Sequence, residues 1–265
     1  LKHQLALAAE GEYFLLQGGD CSETFEGCTS QSIAGKIKVL LMMSYVIAFG
    51  CQRRVIRVGR FAGQYAKPRS AETETRDGVT LPSYRGQMIN RPGFTAEDRR
   101  PDPHMMIRAY EHSALTLNFI RGLVDGGFAD LHHPEFWDLD FVRFAEMSNE
   151  FRVTLQSIGD SVRFMEAVAG HPLDEISRVD FFCSHEGLHL DYEAAQTRQV
   201  PRRTRYYNLA THMPWIGDRT RQPDGAHVEY FRGLANPIGM KVGPSITPGL
   251  LLELIDRLNP GNEPG

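Results

Sequence analysis

The chain has 265 residues, with 29 Lys and Arg against 33 Asp and Glu, and 42% of its residues are apolar. This length and apolar share suit one large α/β domain. The net charge of −4 argues against a nucleic-acid partner, because nucleic-acid binders carry a basic excess. With 23% charged and 10% aromatic residues, the composition also excludes a disordered or fibrous chain.

Five short apolar runs predict buried parallel strands, because each run ends in polar residues and is followed by helical or loop sequence. These runs lie at residues 13–17, 54–58, 179–183, 206–210 and 237–242. Apolar residues at helical spacing predict helices at 33–47, 106–124, 151–168 and 250–258, with Thr247 as the N-cap of the last. Alternating strands and helices favour a parallel α/β fold, with a barrel preferred over an open sheet.

Residues 68–104 interrupt this alternation. The segment contains five prolines and many charged residues without a period, which predicts a long loop that is either functional or disordered. Together with the two helices that follow it, this loop makes residues 68–178 an unusually large crossover between the second and third strands.

The sequence predicts a cytoplasmic protein without a membrane partner. The most apolar run, residues 39–49, is eleven residues long and therefore too short to span a bilayer, so we expect a buried helix there. The first residues lack the apolar segment of a signal peptide. The four cysteines form no C-x-x-C pair, and a chain of this length does not need disulfides to build a core.

Positively charged residues follow two of the predicted strands and lie on a third, at the end where α/β barrels build their active sites. They are Arg60, Lys67, Arg69, Arg219, Arg221 and Lys241. Such a group predicts a small substrate with several negative charges, most simply a phosphorylated one. Solvated or salt-bridged surface cations explain Arg69 and Arg221 equally well. They explain Lys241 poorly, because it interrupts an apolar strand.

Cys21 follows the first strand directly behind Gly18, Gly19 and Asp20. A metal ligand or nucleophile and a small buried side chain are equally good interpretations of this thiol. His185, His189 and His212 are further metal or acid–base candidates, although a single histidine is more often a hydrogen-bonded loop residue. No phosphate-binding glycine motif is present, so a nucleotide cofactor is unsupported.

Two runs carry a specific resemblance to a known family. They are Gly-Gln-Tyr-Ala-Lys-Pro-Arg-Ser at 63–70 and Asn-Pro-Ile-Gly-Met-Lys-Val-Gly-Pro at 236–244. With matching runs around Cys21, at 184–193 and at 215–222, the whole chain resembles the class II (plant-type) 3-deoxy-D-arabino-heptulosonate 7-phosphate (DAHP) synthases. The resemblance implies a (β/α)8 TIM barrel and the metal-dependent condensation of phosphoenolpyruvate with erythrose 4-phosphate, the first step of the shikimate pathway.

The resemblance also implies roles for residues of this chain. Arg60, Asp218, Arg219 and Lys241 would bind phosphoenolpyruvate, with Lys67 joining Arg60 and Lys241 as a catalytic residue. Cys21 would be a ligand of a divalent metal, foremost Mn²⁺, with Co²⁺, Zn²⁺ and Fe²⁺ as alternatives. At full length we would expect a homo-oligomer.

The chain departs from the family pattern in ways that predict a fragment. Asp218 stands where the family commonly has Glu, and Ser22 where it has Ala. The later family strands, with a further arginine and the remaining His, Glu and Asp metal ligands, do not occur in residues 1–265. We therefore expect one partial barrel domain over residues 1–265, with five of eight strands, that is inactive alone. Two alternatives remain open: a paralogue making an amino-sugar analogue for secondary metabolism, and a truncated module that pairs with a full-length subunit.

Overall fold

The computed structural model describes residues 1–128, 130, 148–171 and 179–265. Its helices are α1 (Lys2–Ala9), α2 (Ser30–Cys51), α3 (His104–Asp125), α4 (Ser148–Ala169), α5 (Leu190–Ala195), α6 (Ala226–Arg232) and α7 (Pro248–Leu258). Its strands are β1 (Tyr13–Gly19), β2 (Arg54–Arg60), β3 (Thr73–Arg76), β4 (Val79–Pro82), β5 (Phe182–Cys183), β6 (Thr197–Gln199), β7 (Tyr206–Asn208), β8 (Trp215–Ile216) and β9 (Gly239–Met240).

Five strands run parallel in chain order. β1 pairs with β2 over seven residues, and β2 pairs with β5. A parallel bridge between Glu186 and Trp215 continues the series to β8, which pairs with β9. The expected parallel α/β arrangement is confirmed. Because the strands are parallel neighbours, the residues that follow them gather at one edge.

The fourth of these strands is not the one that the sequence predicted. Residues 206–208 form β7, which pairs antiparallel with β6, whereas Trp215–Ile216 is the fourth parallel strand. The aromatic run at 206–210 looks like a buried strand, yet Tyr206 is 52% and Leu209 55% exposed. Trp215 and Ile216 are both buried but form a strand of only two residues, too short to produce a recognisable pattern.

Helix α2 covers β1 and β2 with its buried side chains. The Thr29 hydroxyl caps its N-terminus by accepting a hydrogen bond from the Ser32 N–H at 3.2 Å. Ile37 and Leu41 are fully buried in the core that also contains Val55. At 22 residues α2 is twice as long as the apolar run expected from sequence, and by length and composition it would suffice to cross a membrane. Core helices of globular proteins meet the same criterion.

The segment after β2 is ordered where the structure describes it. Strands β3 and β4 form an antiparallel hairpin whose turn residues Asp77 and Gly78 both have positive φ, of 49° and 77°. This is the backbone twist that tight hairpins require, and Asp-Gly is a favoured pair for it. Of the two expectations for the loop at 68–104, functional or disordered, the structure does not support disorder, because the segment contains this hairpin. Parts of the predicted crossover 68–178 lie outside the described residues.

The predicted helices are confirmed within one turn of their bounds. Helices α3 and α4 form the helical part of the crossover, and their partly buried residues Leu117, Leu155 and Ile158 pack against the main core. Helix α7 begins with Pro248 in its first turn, and the Thr247 hydroxyl accepts a hydrogen bond from the Leu250 N–H at 3.2 Å.

Candidate functional site

The edge formed by the carboxyl ends of the parallel strands holds most of the residues predicted from sequence. Arg60 is the last residue of β2, and Lys241 directly follows β9. Asp218 and Arg219 come two and three residues after β8. Cys21 follows β1 by two residues and is exposed.

The Arg60 guanidinium is oriented by an aromatic ring. It lies over Trp215 of β8, with 4.9 Å between the guanidinium carbon and the ring centroid. Its Nε is buried and, within the part of the chain that the structure describes, has no hydrogen-bond partner. A held guanidinium with an unsatisfied donor is ready to bind an anion.

Three of the predicted cations act electrostatically on the side chain of Glu186. Its side chain is 5% exposed, and among the described residues its Oε1 has no hydrogen-bond partner. Burial raises the pKa of Glu186, whereas the positive charges of Lys241, Arg60 and Arg219 oppose that rise. A buried carboxyl group whose pKa is raised beside several cations is typical of functional sites, so Glu186 is a candidate functional residue that the sequence analysis did not select.

The Glu186 side chain lies directly over Gly217. A Cβ atom added to Gly217 would lie 1.8 Å from Glu186 Oε1, so no other residue fits at position 217 without moving this carboxyl group. The Glu186 backbone N–H donates to the Gln64 side-chain oxygen at 2.9 Å. Glu186 is therefore fixed both from β8 and from the segment after β2.

Asp218 is paired with a buried arginine rather than standing free. Its Oδ1 lies 2.7 Å from Nη2 of Arg221, which is 7% exposed and also donates to the Ser245 hydroxyl at 2.9 Å. Arg221 therefore has the salt bridge that its interpretation as a solvated or salt-bridged cation allowed, but it is buried rather than solvated at the surface. The other such case, Arg69, is partly exposed and ion-paired with Glu74 at 3.3 Å.

A second group of positive charges lines a cavity of about 260 Å³ beside this cluster. We call it the cationic pocket; its charged and titratable lining residues are Lys67, Arg69, Arg85, His189 and Arg219. Nε and Nη2 of Arg219 donate to the Ser70 hydroxyl at 3.1 and 2.6 Å, which fixes Arg219 between the pocket and Glu186. The volume and charge of the pocket suit a phosphate ester.

Glu23 ties the segment after β1 to the segment after β2. Its carboxylate accepts hydrogen bonds from three consecutive backbone N–H groups, those of Ala62 at 3.0 Å, Gly63 at 2.9 Å and Gln64 at 2.8 Å. Ala62 has a φ of 68° and Gly63 a φ of 154°, a turn that needs outside support. Glu23 supplies that support, so it positions both Gln64 and the turn after Arg60.

The histidine candidates have structural partners. His185 is fully buried, and its Nε2 is paired with Glu193 Oε1 at 2.8 Å. Burial lowers the pKa of His185, but Glu193 and Glu23 outweigh burial and raise it. His212 Nδ1 accepts the Cys183 N–H at 3.0 Å, and burial holds its pKa below the ordinary value. His189 alone lies in a cavity wall.

Cys21 does not form a metal site with its described neighbours. Within residues 1–128, 130, 148–171 and 179–265, no group of three His, Cys, Asp or Glu side chains is arranged to hold a metal ion. The adjacent carboxylate of Asp20 is ion-paired with Lys36. One exposed thiol is a single donor, whereas protein sites for these metals use three or more.

Comparison with known proteins assigns the chain to a family. A sequence profile described as the class-II DAHP synthetase family matches residues 1–265. The chain is 46% identical to the phospho-2-dehydro-3-deoxyheptonate aldolase of Neurospora crassa and 46% identical to that of Streptomyces coelicolor. Each alignment includes the whole chain, which spans 58% and 59% of the length of these curated relatives. By sequence, the chain therefore belongs to the class-II DAHP synthetase family.

Proposed function

We propose that the complete gene product, meaning the longest polypeptide that contains this chain, is a 3-deoxy-7-phosphoheptulonate synthase. It condenses phosphoenolpyruvate with erythrose 4-phosphate to give DAHP and phosphate, the first step of the shikimate pathway toward chorismate and the aromatic amino acids. The observation that carries the proposal is the buried Glu186 among Arg60, Arg219 and Lys241, because it combines sites for an anion with a group for a proton.

We propose that the chain contributes five strands of a (β/α)8 TIM barrel. The chain-order sequence of parallel strands supports this assignment, as does the family, while β1 pairs on one side only among the described residues. The domain assignment is a single partial barrel over residues 1–265, with residues 68–178 as an internal crossover.

Phosphoenolpyruvate is assigned to the cluster around Glu186. Its carboxylate and phosphate match the positive charges of Arg60, Arg219 and Lys241, which come from three different strand ends. Asp218 stands at the border of this cluster with its carboxylate held by Arg221 at 2.7 Å, so we assign it a contact to the substrate through water.

Erythrose 4-phosphate is assigned to the cationic pocket. Its phosphate matches Arg69 and Arg85. Its aldehyde end then points toward Arg219, which belongs to both the pocket and the phosphoenolpyruvate cluster. Lys67 lines the pocket and is assigned the hydrogen bond to the aldehyde oxygen, which gains negative charge as the bond forms.

The chemical step joins C3 of phosphoenolpyruvate to the aldehyde carbon, and water adds at C2. We assign to Glu186 the proton released by that water, because burial raises its pKa and so makes the carboxylate a stronger base than an exposed one. The C2–O bond to phosphate then breaks, the C2 hydroxyl proton leaves with the phosphate, and a carbonyl forms at C2. The former aldehyde oxygen takes a proton from Lys67, which regains the proton held by Glu186 through solvent. The reactants phosphoenolpyruvate, erythrose 4-phosphate and water thus balance with DAHP and phosphate. Arg60 and Lys241 stabilise the charge on the departing phosphate.

A divalent metal completes the proposal for the whole enzyme. We propose that Cys21 is one ligand, that the remaining ligands come from outside these 265 residues, and that the ion is Mn²⁺, with Co²⁺, Zn²⁺ and Fe²⁺ as alternatives. When bound, such an ion polarises the aldehyde carbonyl. Because the described residues offer a single donor, this chain alone should bind the ion weakly.

We further propose a cytoplasmic homo-oligomer. The biosynthetic family supports a cytoplasmic location. The side chains of Val39, Met43 and Val46 on α2, between 38% and 53% exposed, support association with further protein surface.

The proposal is tested by assaying the complete gene product with both substrates and Mn²⁺, following loss of phosphoenolpyruvate and release of phosphate. Equal amounts of DAHP and phosphate are expected, and none when either substrate is omitted. The 265-residue chain should show negligible turnover under the same conditions. Phosphate release without a seven-carbon product would disprove the assignment, and turnover only with an imino form of the sugar phosphate would identify the amino-sugar paralogue instead.

A further inference from the structure

The hairpin inserted after β2 places one carboxylate among three guanidinium groups. Oε2 of Glu74 lies 3.3 Å from Nη2 of Arg69 and 3.6 Å from Nη2 of Arg76, and Oε1 is ion-paired with Arg99. The Tyr84 backbone N–H also donates to Oε1, at 3.4 Å. Only one of the three arginines, Arg69, lines the cationic pocket.

At one end of this arrangement, the Arg99 side chain is held by burial, a hydrogen bond and two aromatic rings. The Arg99 side chain is fully buried; its Nε donates to the Gly93 carbonyl at 2.6 Å, and its guanidinium lies over the rings of Tyr84 and Phe94. A buried charge needs a counter-ion, and Glu74 is the carboxylate that Arg99 meets. Glu74 is therefore held by a rigid part of the insertion.

At the other end of this arrangement, Arg69 lines the cationic pocket. Arg69 keeps a partly exposed guanidinium at the pocket, and the next residue, Ser70, is fixed by Arg219. Arg69, which lines the pocket, and the adjacent Ser70 are thus held by different elements, Arg69 by the hairpin and Ser70 by the segment after β8. Without Glu74, Arg69 would have the many rotamers of a long exposed side chain, and ordering it on a ligand would weaken binding.

We propose that Glu74 is a positioning residue for Arg69, through which the hairpin insertion sets the affinity of the cationic pocket for a phosphate ester. The inference rests on the proposed function for the identity of that ester, erythrose 4-phosphate. Glu74 touches no substrate; it acts by holding Arg69 in the orientation that binds one.

Glu74 carries its negative charge at neutral pH. Partial burial acts to raise the pKa of Glu74, but Arg99, the Tyr84 N–H and Arg76 outweigh it and hold the pKa below its ordinary value. The carboxylate is consequently ionised at neutral pH and stays paired.

The test compares Glu74→Gln with Arg76→Gln in the complete gene product. Glu74→Gln should raise KM for erythrose 4-phosphate about fivefold to tenfold, as expected for a disordered charge-assisted contact, and leave KM for phosphoenolpyruvate within about twofold. Arg76→Gln removes the exposed partner of the same carboxylate, at 55% side-chain exposure, and should leave both constants unchanged. A merely structural role for Glu74 would change both constants or kcat alone.

A second readout separates this inference from the proposed function. Calorimetric titration with inorganic phosphate should show the same fivefold to tenfold loss for Glu74→Gln and none for Arg76→Gln. Phosphate binding that depends on Glu74 in a protein without synthase activity would refute the proposed function and leave the inference intact. Equal changes in both KM values, or unchanged phosphate affinity, would overturn the inference. If Glu74→Gln does not fold, Glu74→Asp, which keeps the charge for Arg99 but draws the carboxylate back from Arg69, must give the same selective change.

Discussion

Burial and nearby positive charges act in opposite directions on the pKa of the Glu186 carboxyl group. Burial raises its pKa, and the cations Lys241, Arg60 and Arg219 work against that effect. When the anionic substrate binds, it neutralises those cations, so the pKa of Glu186 should rise further toward the pH at which a general base works best. The affinity of the site for anions and the basicity of Glu186 are thus coupled.

Replacing Glu186 by glutamine should remove the base and keep the packing. In the complete gene product, Glu186→Gln should lower kcat about 10²- to 10³-fold, the range for loss of a positioned base, while KM for either substrate changes less than about threefold. Steady-state kinetics with both substrates measures this. The exposed Glu229, changed to glutamine in the same way, should leave kcat unaltered. A Glu186→Gln enzyme with normal kcat would exclude the proton role.

The pair of His185 and Glu193 makes a prediction about stability and pH. Although burial lowers the pKa of His185, its contacts with Glu193 and Glu23 raise it above the value in the unfolded chain. Its contribution to stability is therefore fully present below the unfolded pKa of about 6.5 and is lost as the pH rises through the folded pKa. The free energy of unfolding should fall with pH in that window, by at most about 1.4 kcal/mol per pH unit.

Urea unfolding between pH 6 and 9 measures this slope. His185→Gln should abolish the His185 part of the slope, because glutamine can hydrogen-bond Glu193 without titrating. His212→Gln is the matched control: burial lowers the pKa of His212, and its Nδ1 already accepts a hydrogen bond as a neutral ring, so the slope above pH 6.5 should persist in that variant. A slope unchanged by His185→Gln would show that the imidazole is neutral in the folded chain.

At single residues, the sequence draws attention to charges that break an apolar pattern. Arg60 and Lys241 stand out because they end apolar strands, and the structure brings both to Glu186. Glu186 and Arg99 were missed because burial of a charged side chain depends on partners distant in sequence, such as Gly217 beneath Glu186 and Glu74 beside Arg99. Nothing in the local sequence marks either partnership.

Among the described elements, four of the seven helices and four of the five parallel strands were predictable from sequence. Helix α3 and helix α7 show several turns of regular apolar spacing, which sequence records directly. Strands β5 and β9 lie within predicted apolar runs but are only two residues long, and β8, also two residues long, was missed because it is too short to show a pattern. The hairpin of β3 and β4 was missed because its residues are mostly exposed and polar, so it lacks an apolar face.

The turn after β2 should depend on Glu23 for its stability. The carboxylate of Glu23, 5% exposed, accepts three backbone N–H groups, and a glutamine amide would direct its NH₂ group at one or more of these donors. Glu23→Gln should therefore lower the free energy of unfolding by about 2–4 kcal/mol, the loss expected when buried donors to a charged acceptor go unpaired.

Chemical denaturation of the two variants Glu23→Gln and Glu26→Gln measures this difference. Glu26 is exposed and accepts a hydrogen bond from the Gln87 side chain at 3.0 Å, so its replacement should cost less than about 1 kcal/mol. Equal effects in the two variants would mean that the turn holds its conformation without Glu23.

Over the whole molecule, the net charge of −4 hides a strong separation of charge. Lys67, Arg69, Arg85 and Arg219 converge on one cavity, and Arg60 and Lys241 lie beside it. Overall composition averages this concentration away, so it gave no sign of an anion site. The order of the parallel strands, which the sequence predicted in part, brings these cations to one edge of the sheet.

The apolar surface of the 265-residue chain predicts how it behaves in isolation. Phe14 and Leu15 on β1 are 46% and 37% exposed, and on α2 Val39, Met43 and Val46 form an exposed stripe spaced four and three residues apart. These exposed apolar residues, together with β1, which pairs on one side only among the described residues, favour association. Sedimentation velocity of the isolated chain should therefore show mass increasing with concentration. Val46→Lys should shift it toward monomer, whereas Val79→Lys, on the hairpin and also 53% exposed, should not. Equal shifts in both variants would mean that added charge alone, rather than this face, governs association.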